Sequence, residues 1–354
     1  MITRALTNLA ALALLASLGL GGSVSACSDG GATSSSGGAT SSSGDTTSSS
    51  GSGGSSTGTL VVLASFDATK NEQAEGLYIV GDQAYVGWAT LGKIEVVNLA
   101  VGTVTDFGSI PAPPDNGGFM LGIVTDASGN VYVGFGGGPG TAVKNGVYKI
   151  PAGGGAVTAP WASDPSMNFP NGLIFDDAGN LVVADSGGSL FKIAPDGSTS
   201  QWLADPSLAP SGNCQYAAPF AVGANGIVQS GDAFYMSNTN VGQIVKVPIN
   251  PDGSAGTPSI FAGPDCDALG GIDGIALDTD GSLLGVLDTQ AKLVRIDTKG
   301  QVSTLFAGEP LDNPASTWIT ATGGKKTLYL TNSAFFDTTT PAPGLLAYLL
   351  PSGT

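Results

Sequence analysis

Three features of this sequence predict an all-β fold, a six-bladed β-propeller of four-stranded blades. Gly and Pro supply 55 and 21 of the 354 residues, and 24 of the 28 acidic residues are Asp, which favours turns, rather than Glu, which favours helices. A strand pattern repeats six times along the chain. One more strand precedes the first repeat, where it can complete a ring of blades.

Each repeat opens with an apolar strand, followed by a Gly/Asp turn and a second strand rich in Val, Leu or Tyr. The repeats start at Glu75, Leu121, Asn171, Asn225, Asp273 and Trp318. The residues aligned after these starts are Gly76, Gly122, Gly172, Gly226, Gly274 and Ile319, at steps of 45 to 54 residues. Four short strands at this period are typical of propeller blades.

The remaining strands of each blade come in the same order. Third strands are predicted over residues 93–99, 145–151, 189–195, 243–249, 292–298 and 344–350. Fourth strands are predicted over residues 103–109, 155–161, 198–204, 258–264 and 301–307. The sixth repeat lacks one, and residues 60–66 have the fourth-strand pattern, so we expect this N-terminal strand to complete blade six and hide its edge.

The segment before the propeller has the composition of a targeting signal and a tether. Residues 1–26 carry an early Arg and an apolar stretch too short to span a bilayer, which predicts a secretory signal. The sequence ending in Cys27 resembles the lipobox of bacterial lipoproteins, with an ordinary signal peptide and a chance Cys as the alternative. Residues 27–59 then form a Ser/Thr/Gly-rich flexible tether, and residues 60–354 the propeller. We expect an exported lipoprotein of the outer membrane, facing the periplasm or the cell surface.

Charge and missing residue types exclude several functions. The chain has a net charge of −16 and contains no His. The negative charge disfavours binding to nucleic acid or to anionic lipid, so contact with the membrane is expected only through the lipid anchor. Without His, catalytic triads that depend on His and His-ligated zinc sites are excluded. We expect a monomer.

Two cysteines remain if Cys27 is lipidated. Cys214 precedes Asn225 by 11 residues and Cys266 precedes Asp273 by 7, so both belong to loops that lead into neighbouring blades. In an oxidising compartment we expect a disulfide between them, two free thiols being the alternative.

The first residue of each repeat is the candidate functional position. The innermost strands of a propeller begin around the central channel, so Glu75, Asn171, Asn225 and Asp273 are expected to converge there. Oxygen donors with two negative charges suit a hard cation, Ca²⁺ better than Mg²⁺, although another divalent cation would also be accommodated. The alternative is that Asn-Gly and Asp-Gly serve only as turns into the strand.

Other polar and aromatic residues have simpler interpretations. Asp185, Asn238, Asp288 and Asn332 end the second strands and are interpreted mainly as caps of the next turns. Phe119, Phe169, Phe220 and Trp318 lie where inner strands begin and are candidates for an apolar lip on the channel, or for packing beneath the loops.

The series Glu-Gly, Pro-Asn-Gly, Asn-Gly and Asp-Gly over these blades resembles the gluconolactonase/regucalcin (senescence marker protein) family and its lactonase and paraoxonase relatives. The resemblance implies that Glu75, Asn225 and Asp273 bind the catalytic divalent metal and that Asn171 contributes to the metal or substrate site. It also implies hydrolysis of a lactone or related ester at the channel mouth.

Two hypotheses for function are consistent with these residues. The first is a calcium-dependent hydrolase of a lactone or ester, in which a carboxylate replaces His as general base; Asp273 is the first candidate and Glu75 the second. The second is a non-catalytic propeller, similar to NHL-repeat or strictosidine-synthase-like proteins, that binds a ligand or an envelope protein.

Overall fold

A computed structural model describes residues 58–113, 117–137, 142–212 and 214–351 of the chain. The predicted signal peptide, Cys27 and the tether as far as residue 57 lie outside the described residues, whereas Thr59, predicted as the end of the tether, begins β1. Within the described ranges the fold is almost entirely β. The helical segments there are three 3₁₀ turns, Ala68–Lys70, Pro206–Leu208 and Asp288–Gln290, and the short helix α1, Cys266–Leu269. None of the helices in these ranges has the length and hydrophobicity needed to cross a membrane.

The strands form six sheets, which are the blades. β1 (Thr59–Ser65) precedes the first blade. Blade 1 contains β2 (Ala74–Val80), β3 (Gln83–Trp88), β4 (Lys93–Asn98) and β5 (Val104–Ser109). Blade 2 contains β6 (Phe119–Thr125), β7 (Val131–Gly136) and β8 (Gly146–Ile150), followed by the two-residue strand β9 (Gly155–Ala156). Blade 3 contains β10 (Pro170–Phe175), β11 (Leu181–Asp185), β12 (Ser189–Ile193) and β13 (Thr199–Ala204).

The second half of the ring has the same plan. Blade 4 contains β14 (Ala224–Ser230), β15 (Ala233–Asn238), β16 (Gln243–Pro248) and β17 (Ser259–Ala262). Blade 5 contains β18 (Ile272–Leu277), β19 (Leu283–Leu287), β20 (Lys292–Ile296) and β21 (Val302–Ala307). Blade 6 contains β22 (Pro314–Thr322), β23 (Lys325–Asn332) and β24 (Gly344–Leu349), and its fourth strand is β1.

The blades close into a ring around a central channel. The first strand of each blade contacts the first strand of the next, and β22 of blade 6 contacts β2 of blade 1. The N-terminal strand β1 pairs antiparallel with β24, with Thr59 opposite Leu349 and Ser65 opposite Gly344. The predicted six-bladed propeller, closed by an N-terminal strand, is therefore confirmed.

Blade 2 differs from the prediction at its outer edge. The segment predicted as its fourth strand forms β9 instead, which pairs in parallel with β5 of blade 1. At the end of that segment, Trp161 donates to the carbonyl of Val147 in β8, and the next residue, Ala162, forms an isolated bridge with Val147. Small residues permit the pairing of β9 with β5: a Cβ on Gly108 would collide with the carbonyl oxygen of Gly155.

The hydrophobic core is divided among the interfaces between blades. One buried cluster joins Ile94 of blade 1 to Phe135 of blade 2, and the cluster that closes the ring joins Leu345 of blade 6 to Val86 of blade 1. Each blade thus buries both faces of its sheet against its neighbours, which holds the inner strands at a fixed radius around the channel.

The repeated Gly of the inner strands is required by contact between blades. A Cβ on Gly76 would collide with the carbonyl oxygen of Leu121, and one on Gly172 with that of Asn225. Only Gly allows the backbones to approach this closely, so the motif that reveals the repeat also sets the width of the channel.

Candidate functional site

The channel has two ends, which we call the upper and lower mouths. The inner strands begin at the upper mouth, where the loops between blades also lie. The hairpins that join first and second strands lie at the lower mouth. A residue at the start of an inner strand therefore belongs to the upper mouth.

The four predicted site residues lie at one level of this upper mouth. Each is the second residue of its inner strand: Glu75 in β2, Asn171 in β10, Asn225 in β14 and Asp273 in β18. Backbone contacts join neighbouring blades at this level, since a Cβ on Gly122 would meet the carbonyl of Asn171 and one on Gly226 the carbonyl of Asp273. The hydroxyl of Thr331 in blade 6 donates to the carbonyl of Glu75 (2.8 Å), which connects blade 6 to blade 1 at the same height in the channel.

In blade 6 the residue equivalent to Glu75 is Ala315. The predicted equivalence of Trp318 with the first residues of the other repeats, and of Ile319 with their Gly, is therefore wrong. Pro314 pairs with Asn332 in the same way that Ala74 pairs with Trp88 in blade 1. A Cβ on Gly274 would collide with the carbonyl of Ala315. Blade 6 has a nine-residue inner strand without the repeated Gly, so its register could not be read from the pattern.

Trp318 consequently lies far from the upper mouth. Its ring packs against that of Tyr78, with centroids 4.2 Å apart, on the wall of a cavity at the other end of the channel. At the inner-strand position equivalent to Glu75, blades 2 and 6 carry the apolar residues Leu121 and Ala315. The upper level of the channel is formed by Glu75, Leu121, Asn171, Asn225, Asp273 and Ala315.

Hydrogen bonds fix the two amide side chains. The hydroxyl of Ser186 donates to the carbonyl of Ala224 (2.8 Å), so it accepts from Nδ2 of Asn171 (3.3 Å). Thr239 likewise donates to a backbone carbonyl, that of Ile272 (2.8 Å), and accepts from Nδ2 of Asn225 (3.0 Å). Because each hydroxyl has a single proton, these contacts orient both amides and leave their oxygens as the available acceptors.

The two carboxyl groups are held in an environment that opposes ionisation. Glu75 is buried, and its Oε2 has no hydrogen-bond partner. Burial, together with repulsion from Asp288, raises the pKa of Glu75 to about 8. Burial and then the charges of Glu75 and Asp288 raise the pKa of Asp273 well above its usual range, while a hydrogen bond from Asn225 opposes the shift. Asp273 keeps partial exposure to solvent.

Asp288 is the site residue that the sequence did not reveal. It comes one position after β19 and so occupies the place of Ser186 in blade 3 and Thr239 in blade 4, beside the channel. Its Oδ1 is buried without a partner, and burial raises its pKa to about 7. The interpretation as a turn cap is incomplete, since the charge of this carboxyl group raises the pKa of both Glu75 and Asp273. Asp185 and Asn238 are the last residues of their second strands, whereas Asp288 is one residue further along. This difference of one residue places Asp288 beside the channel, and no sequence motif marks it.

Asp185 and Asn238 do cap the next turns, whereas Oδ1 of Asn332 has no hydrogen-bond partner. All three residues bind the loop leading into their own blade. Asp185 accepts from the backbone N–H groups of Asn168 (2.8 Å), Phe169 (2.8 Å) and Gly187 (2.9 Å). Nδ2 of Asn238 donates to the carbonyl of Ala209 (2.9 Å). These contacts hold the loops that surround the upper mouth.

The residues present fit a hard divalent cation. Among the described residues, no three side chains of His, Cys, Asp or Glu are grouped closely enough to hold a metal ion alone, so a cation would depend on the amide oxygens of Asn171 and Asn225 as well as on Glu75 and Asp273. The unpartnered Oε2 of Glu75 and the repulsion among buried carboxylates are the features that a positive charge would relieve.

Aromatic side chains surround this mouth. The ring of Phe119 stacks on Phe220 (centroids 5.9 Å apart) and meets Phe169 (6.3 Å) and Phe335 (5.8 Å) edge-on. All four are half-buried. Three of the four predicted lip residues therefore lie together, and Phe335 takes the place assigned to Trp318.

A disulfide joins two of the loops around the upper mouth. Cys214 lies in the loop before β14 and Cys266 begins α1 in the loop before β18, and their Cα atoms are 5.3 Å apart. The bond therefore connects the loops that lead into blades 4 and 5, which carry Asn225 and Asp273.

Residues 188–334 match the family model of the SMP-30/gluconolactonase/LRE-like region. The predicted resemblance to this family is confirmed. The gluconolactonase-like match runs from the third strand of blade 3 to the second strand of blade 6, so it includes Asn225, Asp273 and Asp288, while Glu75 and Asn171 lie outside it.

Solved structures share the fold at low sequence identity. Regucalcin from Agrobacterium tumefaciens, a calcium-binding protein, is 20% identical, with 81% of this chain and 92% of that chain covered and a TM-score of 0.58. A gluconolactonase from Xanthomonas campestris is 16% identical, with coverage of 83% and 90% and a TM-score of 0.56. A luciferin-regenerating enzyme is 14% identical, with coverage of 84% and 96% and a TM-score of 0.58. No curated protein matches the chain.

Proposed function

We propose that this protein is an envelope-tethered, calcium-dependent hydrolase of the gluconolactonase type, acting on a lactone or related ester at the upper mouth of the channel. The observation that carries the proposal is the convergence of the carboxyl groups of Glu75 and Asp273 and of two oriented amides from four blades, with Oε2 of Glu75 unpartnered. The family match over residues 188–334 supports a lactonase-like function at the level of the family.

Glu75, Asn171, Asn225 and Asp273 would hold the cation. When bound, such a cation neutralises the carboxylates and polarises an ester carbonyl. The chain itself supplies orientation: the hydroxyls of Ser186 and Thr239 keep the amides in place through their bonds to the backbone. The aromatic rim around Phe119 excludes water and contacts apolar parts of a substrate.

Asp273 is the proposed general base. As a whole residue it is less buried than Glu75. Burial and then the charges of Glu75 and Asp288 raise the pKa of Asp273, and a carboxylate with a raised pKa is a stronger base. In this role Asp273 removes a proton from the attacking water. Glu75 is the second candidate for the same role.

The decisive experiment is an assay of the purified protein on a panel of lactones and aryl esters, with calcium and with a chelator. We expect turnover that the chelator abolishes and that Glu75→Gln and Asp273→Asn each lower by about 100-fold or more. Asp232→Asn, an exposed hairpin carboxylate, is the matched control and should retain activity. Absence of turnover on every compound, or a Glu75→Gln variant equal to wild type, would refute the proposal.

A non-catalytic propeller that binds a ligand or an envelope protein is the second candidate. Leu121 and Ala315 at the site level support it, because two of the six blades offer no donor there. Calorimetry separates the two candidates: calcium binding that is lost in Asp273→Ala, without turnover of any ester, would favour the binding role.

Tethering is proposed from the sequence around Cys27. Metabolic labelling with a radioactive fatty acid should mark the wild-type protein and not Cys27→Ser. Equal labelling of both proteins, or of neither, would contradict lipidation at this residue. We propose that the tethered propeller acts as a monomer.

A further inference from the structure

A cavity of about 820 Å³ occupies the lower part of the channel. The repeated Gly residues of the inner strands separate it from the candidate site. The inner end of the cavity is formed by Gly122, Gly172, Gly226 and Gly274, and its outer end by hairpin residues such as Ala127 and Pro195. Glu75, Asn171, Asn225 and Asp273 are not part of its wall. The volume is that of a cavity for a small organic molecule.

Most of the wall is apolar, and it is rich in flat rings. Inner strands contribute aliphatic side chains, among them Ile123, Leu173, Ile227 and Ile275. The aromatic residues of the wall are Tyr78, Tyr132, Trp161, Phe175 and Trp318. Such a surface favours a ligand with an apolar ring system, which can stack on the paired rings of Tyr78 and Trp318.

Lys149 is the cation on this wall. Its Nζ lies 5.0 Å from the ring centre of Tyr132 and 5.5 Å from that of Trp161. Blade 3 has a lysine at the matching position, Lys192, which forms an ion pair with Asp176 at 3.3 Å. Lys149 forms no such ion pair within the described residues.

The absence of an ion pair at Lys149 is explained by the hydrogen bonding of the blade 2 carboxylate that is equivalent to Asp176. In blade 2 this residue is Asp126, whose oxygens accept from the backbone N–H groups of Ser128 and Asn130 (2.9 Å each), from Nδ2 of Asn130 (2.7 Å) and from the hydroxyl of Tyr132 (3.0 Å). Four donors thus satisfy this carboxylate, and Tyr132 takes the position that a lysine would need. Lys149 interacts with the hydroxyl and ring of Tyr132 and with the ring of Trp161, and it forms no ion pair with Asp126, which also lies on the cavity wall.

A second polar residue of the cavity wall is Thr317. The Oγ1 atom of Thr317 is buried and makes no hydrogen bond. Buried polar atoms without partners are uncommon, and a bound molecule that completes the hydrogen bonding accounts for one. Thr317 and Lys149 belong to different blades and lie on two sides of the cavity.

We propose that the lower cavity binds a small carboxylate with a flat apolar ring system. The ring stacks on Tyr78 and Trp318, and the carboxylate accepts from the ammonium group of Lys149. A charge-assisted hydrogen bond in a mostly apolar surrounding is stronger than one at the surface. This site does not depend on the proposed hydrolase function, because no residue of the upper mouth takes part in it.

The test is calorimetric titration of the purified full-length protein with 2-naphthoate. We expect saturable binding of one molecule per chain, weakened about tenfold or more in Lys149→Gln. The matched control is Lys246→Gln, because Lys246 lies over the ring of Tyr235 at 5.6 Å but is not on the cavity wall. The control should bind as wild type does.

A second pair of variants tests the ring contact. Trp318→Ala should weaken 2-naphthoate binding, whereas Trp202→Ala, which removes a Trp outside the cavity wall, should not. The neutral 2-naphthamide lacks the carboxylate that Lys149 binds. Its affinity for wild type should therefore be no higher than the affinity of 2-naphthoate for Lys149→Gln. Glu75→Gln and a chelator should leave naphthoate binding unchanged, so this result is independent of the lactonase assay. The proposal fails if wild type does not bind 2-naphthoate, or if Lys149→Gln binds it as tightly as wild type.

Discussion

Buried carboxyl groups dominate the chemistry of the upper mouth at the scale of single residues. Glu75, Asp273 and Asp288 all have raised pKa values, with burial as the largest cause in each case. In a chain with a net charge of −16 and no His, such groups are the available proton acceptors near neutral pH. The proposed hydrolase therefore depends on carboxylates for both cation binding and proton transfer.

The effect of burial on the pKa of a carboxyl group can be tested at Asp185, away from the candidate site. It is fully buried, and burial raises its pKa to about 6 despite three backbone N–H donors. The folded protein therefore holds this proton more tightly than the unfolded chain does. Its contribution to stability is present at low pH and is lost as pH rises from about 4 to about 6.

We predict that Asp185→Asn removes this pH dependence. The free energy of unfolding of wild type relative to the variant should be larger at pH 4 than at pH 7, by at most about 3 kcal/mol for a shift of roughly two pH units. Urea denaturation at a series of pH values measures the difference. A difference that stays constant from pH 4 to pH 7 would show that Asp185 has an ordinary pKa.

At the scale of elements, the disulfide holds together the loops that lead into β14 and β18. Those strands carry Asn225 and Asp273, so the bond constrains two donors of the candidate site from outside. Asp265, next to Cys266, caps α1 by accepting from the N–H groups of Asp267 and Ala268. The loop is thus ordered locally as well as through the bond.

We predict that replacing both Cys214 and Cys266 with Ser lowers the free energy of unfolding by about 4 kcal/mol, because the bond closes a loop of 52 residues in the unfolded chain. Chemical denaturation of the double variant, compared with wild type in the absence of reductant, gives the value. Reduced wild type should unfold at the same denaturant concentration as the double variant; a clear difference between them would mean that the Ser side chains themselves cause the loss.

At the scale of the whole molecule, the ring is closed by pairing of distant parts of the sequence. β1 completes blade 6, and the hydroxyl of Tyr348 accepts from the backbone N–H of Gly58 (3.1 Å) at the start of this strand. Without β1, the edge of β24 would be open to solvent and available for pairing with another chain.

We predict that a chain beginning at Phe66 melts roughly 5 °C or more below one beginning at Gly58, since each kcal/mol shifts a domain of this size by about 2 to 4 °C. The shorter chain should also associate through β24. Thermal melting and size-exclusion chromatography of both chains provide the comparison. Equal melting temperatures and equal elution volumes would show that β1 is dispensable for closure.

The sequence by itself determined the blades. Strand alternation and turn residues are local properties, and the Gly after Glu75, Asn171, Asn225 and Asp273 marks a backbone contact that recurs from blade to blade. These signals predicted six blades, closure by the N-terminal strand and the residues that share the upper mouth.

Tertiary structure alone decided which side chains face one another across the channel. The register of blade 6 places Ala315 rather than Trp318 at the site, and a one-residue offset brings Asp288 beside it. The lower cavity and the place of Lys149 on its wall likewise depend on neighbouring blades. The physical reason is that a strand pattern specifies which face of a sheet is buried, whereas contacts across the channel depend on the register and radial position of whole blades, which packing between blades sets.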